Sequence, residues 1–178
     1  MKVLLDENEL SRGVQQLAER LNKAYEGRPL TVIGIMTGSL VILADVIRKL
    51  DMPLRVGVVQ TSSYAGTERR ELTINSEMML DITDRDVLLV DDIFDTGHTM
   101  EKVVELMNGF RPNSVKSAVL LLKSGCQQVE SRPDFVAFEI PDEFVVGYGL
   151  DYNDEYRNLP FLGVLEPADL QQADAPKV

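Results

Sequence analysis

Val87-Leu88-Leu89-Val90-Asp91-Asp92-Ile93-Phe94-Asp95-Thr96-Gly97-His98-Thr99 is the stretch whose reading decides the fold. Its first four residues are the most strand-like tetrad in the chain, and they run straight into two acids. A short loop rich in hydroxyl side chains follows, and then Met100, Val103, Val104 and Met107 share one helical face up to Gly109. In open α/β sheets ligands bind just outside the carboxyl ends of the strands. A loop entering a helix N-terminus offers N–H groups and the positive dipole end to a phosphate. Gly97 lets a backbone approach closely, and Thr96 and Thr99 add hydroxyl donors. Two adjacent carboxylates beside such a cradle repel an anion unless they carry Mg²⁺ or accept hydrogen bonds from sugar hydroxyls. The alternative is an N-capping turn ringed by solvated acids, which three acids within five residues fit poorly.

Working outward, strand and helix alternate. Asp6 and Glu9 read as a capping box, followed by Leu10, Val14, Leu17, Leu21 and Ala24 at helical spacing up to Gly27. Leu30–Ile35 predicts a buried strand that breaks at Thr37-Gly38-Ser39, and a helix is expected from Leu40 to Leu50. Further strands are expected at Leu54–Gln60, Leu72–Leu80, Val115–Leu122, Phe135–Ile140, Phe144–Val146 and Phe161–Leu165, with a loop over Thr61–Arg70 and a turn at Asp84-Arg85-Asp86. This order predicts an α/β fold with a mostly parallel sheet flanked by helices. One domain is expected over residues 1–166, with a flexible tail over 167–178.

Composition narrows the function. The chain has 178 residues, 44% of them hydrophobic and 26% charged, which suits a packed globular domain. A net charge of −11 opposes nucleic acid or an anionic membrane as the main partner. A lone cysteine, Cys126, forms no internal disulfide and suits a reducing cytosol. The opening residues lack a signal-peptide core, and the longest apolar stretch, Leu40–Ile47, is interrupted by Asp45, so a soluble cytoplasmic protein is expected.

The loop from Asp91 to Thr99 resembles the PRPP-binding signature of the type I phosphoribosyltransferases. Phe144-Val145-Val146-Gly147-Tyr148-Gly149-Leu150-Asp151-Tyr152-Asn153-Asp154-Glu155-Tyr156-Arg157 is similar to the C-terminal segment of the hypoxanthine-guanine phosphoribosyltransferases, and Ser62-Ser63-Tyr64 to the start of their mobile loop. The resemblance spans most of Glu7 to Leu165. It implies the type I phosphoribosyltransferase fold, with a small hood built from the N- and C-terminal segments. It also implies transfer of the phosphoribosyl group of PRPP to N9 of hypoxanthine or guanine, releasing pyrophosphate.

The same resemblance assigns roles. Asp91 and Asp92 hold the ribose hydroxyls, directly or through Mg²⁺, while Asp95, Thr96, Gly97, His98 and Thr99 cradle the 5′-phosphate. Asp95 is also the general base for the purine N7 proton. Lys123 donates to O6, Phe144 stacks on the ring, and the backbone of Val145 reads the Watson–Crick edge. Asp151 takes a second Mg²⁺, Arg157 pairs with pyrophosphate, Thr37 and Gly38 give it backbone donors, and Tyr64 rides on a closing lid. Small-molecule substrates and a homodimer or homotetramer follow from the family.

Plainer readings stand beside these: a core Phe144, a strand-end Lys123, a surface ion pair for Asp151 and Arg157, a helix-capping Asp95. Three positions depart from the family pattern. Thr37 stands where a Lys is frequent, Asp91-Asp92 replaces Glu-Asp, and His98 occupies a position usually basic or small, where exposed packing is the expected role. A receiver domain is excluded, because no phosphoacceptor Asp ends a strand between Asp92 and Lys123. A nucleic-acid-binding regulator on the same fold is opposed by the −11 charge and by the presence of Lys123, Phe144 and Asp151.

Overall fold

The computed structural model describes residues 1–63, 72–75, 80–166 and 169, with backbone alone at 62–63 and 72–75. Strand β1 (Lys2–Leu5) leads into helix α1 (Glu7–Tyr25), which opens on the expected capping box: Asp6 accepts from the Glu9 amide and Glu9 from the Asp6 amide, each at 2.8 Å. Then come β2 (Leu30–Met36), α2 (Leu40–Ile47), β3 (Leu54–Ser63), β4 (Leu72–Asn75), β5 (Asp86–Phe94), α3 (His98–Asn108), β6 (Ser114–Lys123), β7 (Phe135–Ile140), β8 (Val145–Val146) and β9 (Leu162–Val164).

Six strands form the main sheet in the order β4-β3-β2-β5-β6-β7. All its pairings are parallel except β3 with β4 at the edge. A parallel sheet needs cover on both faces, and the side chains sort accordingly. Val32, Leu88, Val90, Ala118 and Leu120 face the layer of α1 and α2. Ile33, Ile35, Val87, Leu89 and Val119 face α3 through Met100, Val103 and Met107. The hood is a second sheet, β1-β9-β8, in which Lys2 pairs with Val164 and Val145 pairs with the same residue from the other side.

Several boundaries differ from expectation, each for a physical reason. Helix α2 stops at Ile47 instead of Leu50, and Lys49 already bonds back to Val46 in a tighter turn. Strand β3 runs on to Ser63 through the expected loop, because β4 supplies an antiparallel partner for Gln60 to Ser63. Strand β5 starts within the expected Asp84–Asp86 turn and continues past Val90 to Phe94, since β6 pairs with it as far as Leu122. Strand β1 was not foreseen; its partner lies at the other end of the chain. The remainder of the strand expected to reach Leu80, at 76–79, lies outside the described residues, as does the expected tail apart from Asp169, whose carboxylate meets the Met1 ammonium at 2.9 Å. Among the described residues no helix is long and apolar enough to cross a membrane.

Candidate active site

The carboxyl ends of β5, β6 and β7 deliver charged residues to one edge of the main sheet, and that of β2 delivers the turn Thr37-Gly38-Ser39. On β5, Asp91 is 7% exposed and Asp92 sits beside it. The Asp92 amide donates to Asp91 Oδ1 at 3.0 Å and the Ile93 amide to Asp92 Oδ1 at 2.9 Å. Burial, and then the neighbouring carboxylate, pushes the Asp91 carboxyl well above the usual range; burial raises Asp92 as well, while the Asp91 hydrogen bond, the backbone amides and last the Arg157 charge pull it back. Burial thus disfavours charge on both acids at once, and a cation beside them would restore it.

Two adjacent carboxyl groups suit Mg²⁺, which takes one or two protein carboxylates and completes its shell with water and substrate oxygens. No three His, Cys, Asp or Glu side chains converge into a complete cage among the described residues. The donor set at Asp91-Asp92 fits a cation shared with substrate better than a closed structural site.

After β5 the chain turns at Gly97, the N-cap of α3, with φ +92°. Among the described residues no side chain caps this helix, whose N-cap is a glycine. The expected alternative, Asp95 as a capping residue, is overturned by that geometry. The loop is pinned from outside: the Gln128 amide donates to the Thr96 carbonyl at 2.9 Å, and His98 Nε2 lies 3.1 Å from Gln128 Oε1. His98 is exposed, as expected, and Thr96 and Thr99 are half-buried.

Lys123 ends β6 and is only 9% exposed. Its ammonium lies 3.5 Å from Asp95 Oδ2 and 3.3 Å from Asp142 Oδ1. Asp142 was not singled out in the sequence; the available signal was an acid just past the carboxyl end of a parallel strand, here two residues beyond Ile140.

The hood faces this row. Phe144 is 50% exposed, which overturns the core reading, and meets Tyr152 edge to face at 5.6 Å. The Phe144 carbonyl accepts from the Leu165 amide at 3.1 Å, and Val145 is buried in β8. Asp151 and Arg157 do form an ion pair, at 2.8 Å, yet they are not a free surface pair. Arg157 Nη1 also donates to the Gly149 carbonyl at 2.9 Å, and its charge reaches Asp92.

The β2–α2 turn completes the arrangement, with a cis peptide between Met36 and Thr37. A Cβ on Gly38 would fall 1.8 Å from Asp92 Oδ2, so the acid pair rests against this turn. A Cβ on Gly149 would fall 2.2 Å from the Gly38 carbonyl oxygen, so the hood rests against its other side. Thr37, Gly38, Asp91, Asp92, Asp151 and Arg157 thus gather in one half of the site, and Asp95 and Lys123 in the other. Tyr64 lies outside the described residues.

A family model for the phosphoribosyl transferase domain matches residues 2–153. The chain belongs to the phosphoribosyltransferase family. It is 39% identical over 168 residues to a hypoxanthine-guanine phosphoribosyltransferase of Staphylococcus aureus, covering 93% of this chain and 94% of that one. A crystal structure of a Staphylococcus aureus hypoxanthine phosphoribosyltransferase superposes with a TM-score of 0.89 at 37% identity, over 94% of this chain and 92% of the other. The Trypanosoma cruzi hypoxanthine phosphoribosyltransferase in complex with its product IMP superposes at 0.88, with 34% identity over 94% and 95%. The phosphoribosyltransferase architecture of a central parallel sheet under a hood is therefore the fold of this chain.

Proposed function

We propose that this phosphoribosyltransferase joins hypoxanthine or guanine to the ribose of PRPP, giving IMP or GMP and pyrophosphate. The observation that carries the reading is the pair Lys123 and Asp95, an ammonium and a carboxylate 3.5 Å apart beside the phosphate loop. A 6-oxopurine presents an acceptor, O6, next to a donor, N7–H. Lys123 can only donate and an ionised Asp95 can only accept, so the two patterns match edge to edge. The 6-amino group of adenine would set a donor against Lys123. The relatives named for hypoxanthine and guanine, and the IMP complex of one of them, support the same substrate class.

In the reaction the N9–C1′ bond forms as the C1′–oxygen bond to pyrophosphate breaks, and the N7 proton passes to Asp95. The uncapped α3 N-terminus and the amides from Asp95 to Thr99 hold the 5′-phosphate, with the Thr96 and Thr99 hydroxyls beside them. Asp91 and Asp92 hold the ribose hydroxyls, and an Mg²⁺ ion held by these acids would neutralise phosphate charge. Asp151 would hold a second cation, and Arg157 turns from Asp151 to pyrophosphate beside the amides of Thr37 and Gly38. Phe144 lies on the purine ring while Val145 presents its backbone to the base edge. Residues 1–166 act as one domain, and a homodimer or homotetramer in the cytoplasm is the assembly the family supports; light scattering measures it.

The deciding experiment is a spectrophotometric assay with PRPP and Mg²⁺ against hypoxanthine, guanine, xanthine and adenine in turn. Turnover of hypoxanthine and guanine with little of adenine is expected. Adenine turning over as fast as hypoxanthine would overturn the assignment.

A further inference from the structure

Lys123 stands between two acids, and only one of them is used by the reaction as described. Three neighbouring parallel strands each deliver one charge at their carboxyl ends: Asp95 just past β5, Lys123 on β6, Asp142 just past β7. The order is minus, plus, minus. We propose that Asp142 is a positioning residue for purine recognition, holding Lys123 from the side opposite Asp95 so that the Asp95 carboxylate stays open to the purine N7–H. The inference rests on the functional reading above and deepens it.

A nearly buried ammonium cannot satisfy its three hydrogens with bulk water, so it takes the acceptors within reach. Those in reach are Asp95 Oδ2 at 3.5 Å and Asp142 Oδ1 at 3.3 Å. With Asp142 removed, Asp95 becomes the sole carboxylate of the pair. The ammonium then closes on it, occupying the lone pairs that must receive the N7 proton and leaving Lys123 off line for O6. With Asp142 present, one hydrogen is engaged from the β7 side and another is free for the base.

The frame that sets this spacing is backbone. Lys123 pairs with Ile140 across β6 and β7, and the Ser124 amide donates to the Ile140 carbonyl at 2.9 Å. The Asp142 side chain is 67% exposed and packs into no core, so changing it leaves the fold intact. The Lys123 hydrogen bond, and then the Cys126 thiol, hold the Asp142 carboxyl below the usual range.

The test is Asp142→Asn and Asp142→Glu, each made in the native chain and in Lys123→Met. Measured are kcat, the KM of hypoxanthine and of PRPP separately, IMP affinity by calorimetry, and the melting temperature. Asp142→Asn is expected to lower kcat/KM for hypoxanthine about 10- to 100-fold, the scale of one charge-assisted hydrogen bond, with the KM of PRPP and the melting temperature unchanged. Asp142→Glu should recover most of the loss. In the Lys123→Met background Asp142→Asn should cost nothing more, in turnover or in IMP affinity. Native kcat/KM in Asp142→Asn overturns the proposal, and so does an equal loss in the Lys123→Met background or a loss confined to PRPP. A native chain that fails to turn over hypoxanthine overturns the functional reading itself, which keeps the two failures apart.

Discussion

Gly149→Ala tests whether the hood and the pyrophosphate turn are one machine. Gly149 has φ +104°, a conformation that costs an L side chain about 1–2 kcal/mol. Its new Cβ would fall 2.2 Å from the Gly38 carbonyl oxygen, whereas such contacts do not go below 3.0 Å, so the two backbones must part by at least 0.8 Å. Gly38 cannot yield toward the sheet, because the Asp92 carboxylate fills the space where its own Cβ would stand. The shift therefore moves the Thr37-Gly38 turn or the Gly149 backbone relative to Asp92 and Arg157. A misplacement of about 1 Å at a reacting centre costs on the order of 10²-fold. The expected result is a fall of about 10- to 100-fold in kcat/KM for PRPP, and a melting temperature lower by about 2–8 °C. Gly147→Ala is the control: its φ is +98° and its Cβ would strike the Phe161 carbonyl oxygen at 2.1 Å, inside the hood and away from Gly38. It should lose comparable stability while PRPP kinetics move far less. Equal kinetic losses in both variants, or native kinetics in Gly149→Ala, would refute the coupling.

Three further outcomes are expected. Asp95→Asn should cost about 10²–10⁴-fold in kcat for hypoxanthine while the Kd of PRPP by calorimetry is preserved, because the amide cannot take the N7 proton and the cradle is mostly backbone; kcat within a few-fold of native ends that role. Activity should be lost in excess EDTA, and binding of Mg²⁺ with PRPP should release protons, since a cation at Asp91 and Asp92 opposes the burial that raises both carboxyls and the Asp92 charge that raises Asp91; calorimetry in buffers of different ionisation enthalpy reads that release, and its absence at every pH counts against the site. Asp86, at the amino end of β5, accepts from Ser114 Oγ at 2.5 Å, Asn113 Nδ2 at 2.8 Å and Arg28 at 3.2 Å, and the Ser114 bond leads in holding its carboxyl below the usual range. A depressed carboxyl stabilises the fold above the ordinary value near 3.9 and loses that contribution as pH falls through the native one, so Asp86→Asn should cost about 1–3 kcal/mol at neutral pH and less on acidification. A gap between native and variant that stays constant down to acid pH would contradict this.

The parts of the molecule legible in the sequence are those whose causes are local. The Asp6–Glu9 box, the apolar face from Leu10 to Ala24 and the tetrad before Asp91 each specify their element through near neighbours. What escaped depends on distant partners. Strand β1 is four residues with little alternation, and only Leu162–Val164 makes it a strand. Asp91 to Phe94 look like the start of a loop until β6 pairs with them. The site shows the same division. Asp91 and Asp92 could be named because they end a strand beside one loop, whereas Asp95 and Lys123 took their roles from the family resemblance. Asp142 became visible only when β7 was placed beside β6, and the contact of Gly149 with Gly38 only when the hood was set on the turn.

The two sheets differ in how the chain reaches them. The main sheet grows by pairings between nearby segments, whereas the hood closes only when Lys2–Leu5 finds Leu162–Val164, the widest sequence separation of any pairing among the described strands. Loops of that span form late, since their closure entropy is met before their contacts return anything. The hood, with two short strand pairings, is thus the weakest cooperative unit of the fold, and Phe144 and Val145 belong to it while Lys123 belongs to the main sheet. A purine held by both is a staple across the seam between an early and a late piece of the chain. Occupancy then protects the hood in proportion to RT ln(1 + [L]/Kd), and slowed amide exchange in β1, β8 and β9, with the main sheet unaffected, is how a bound base is written into the dynamics of the protein.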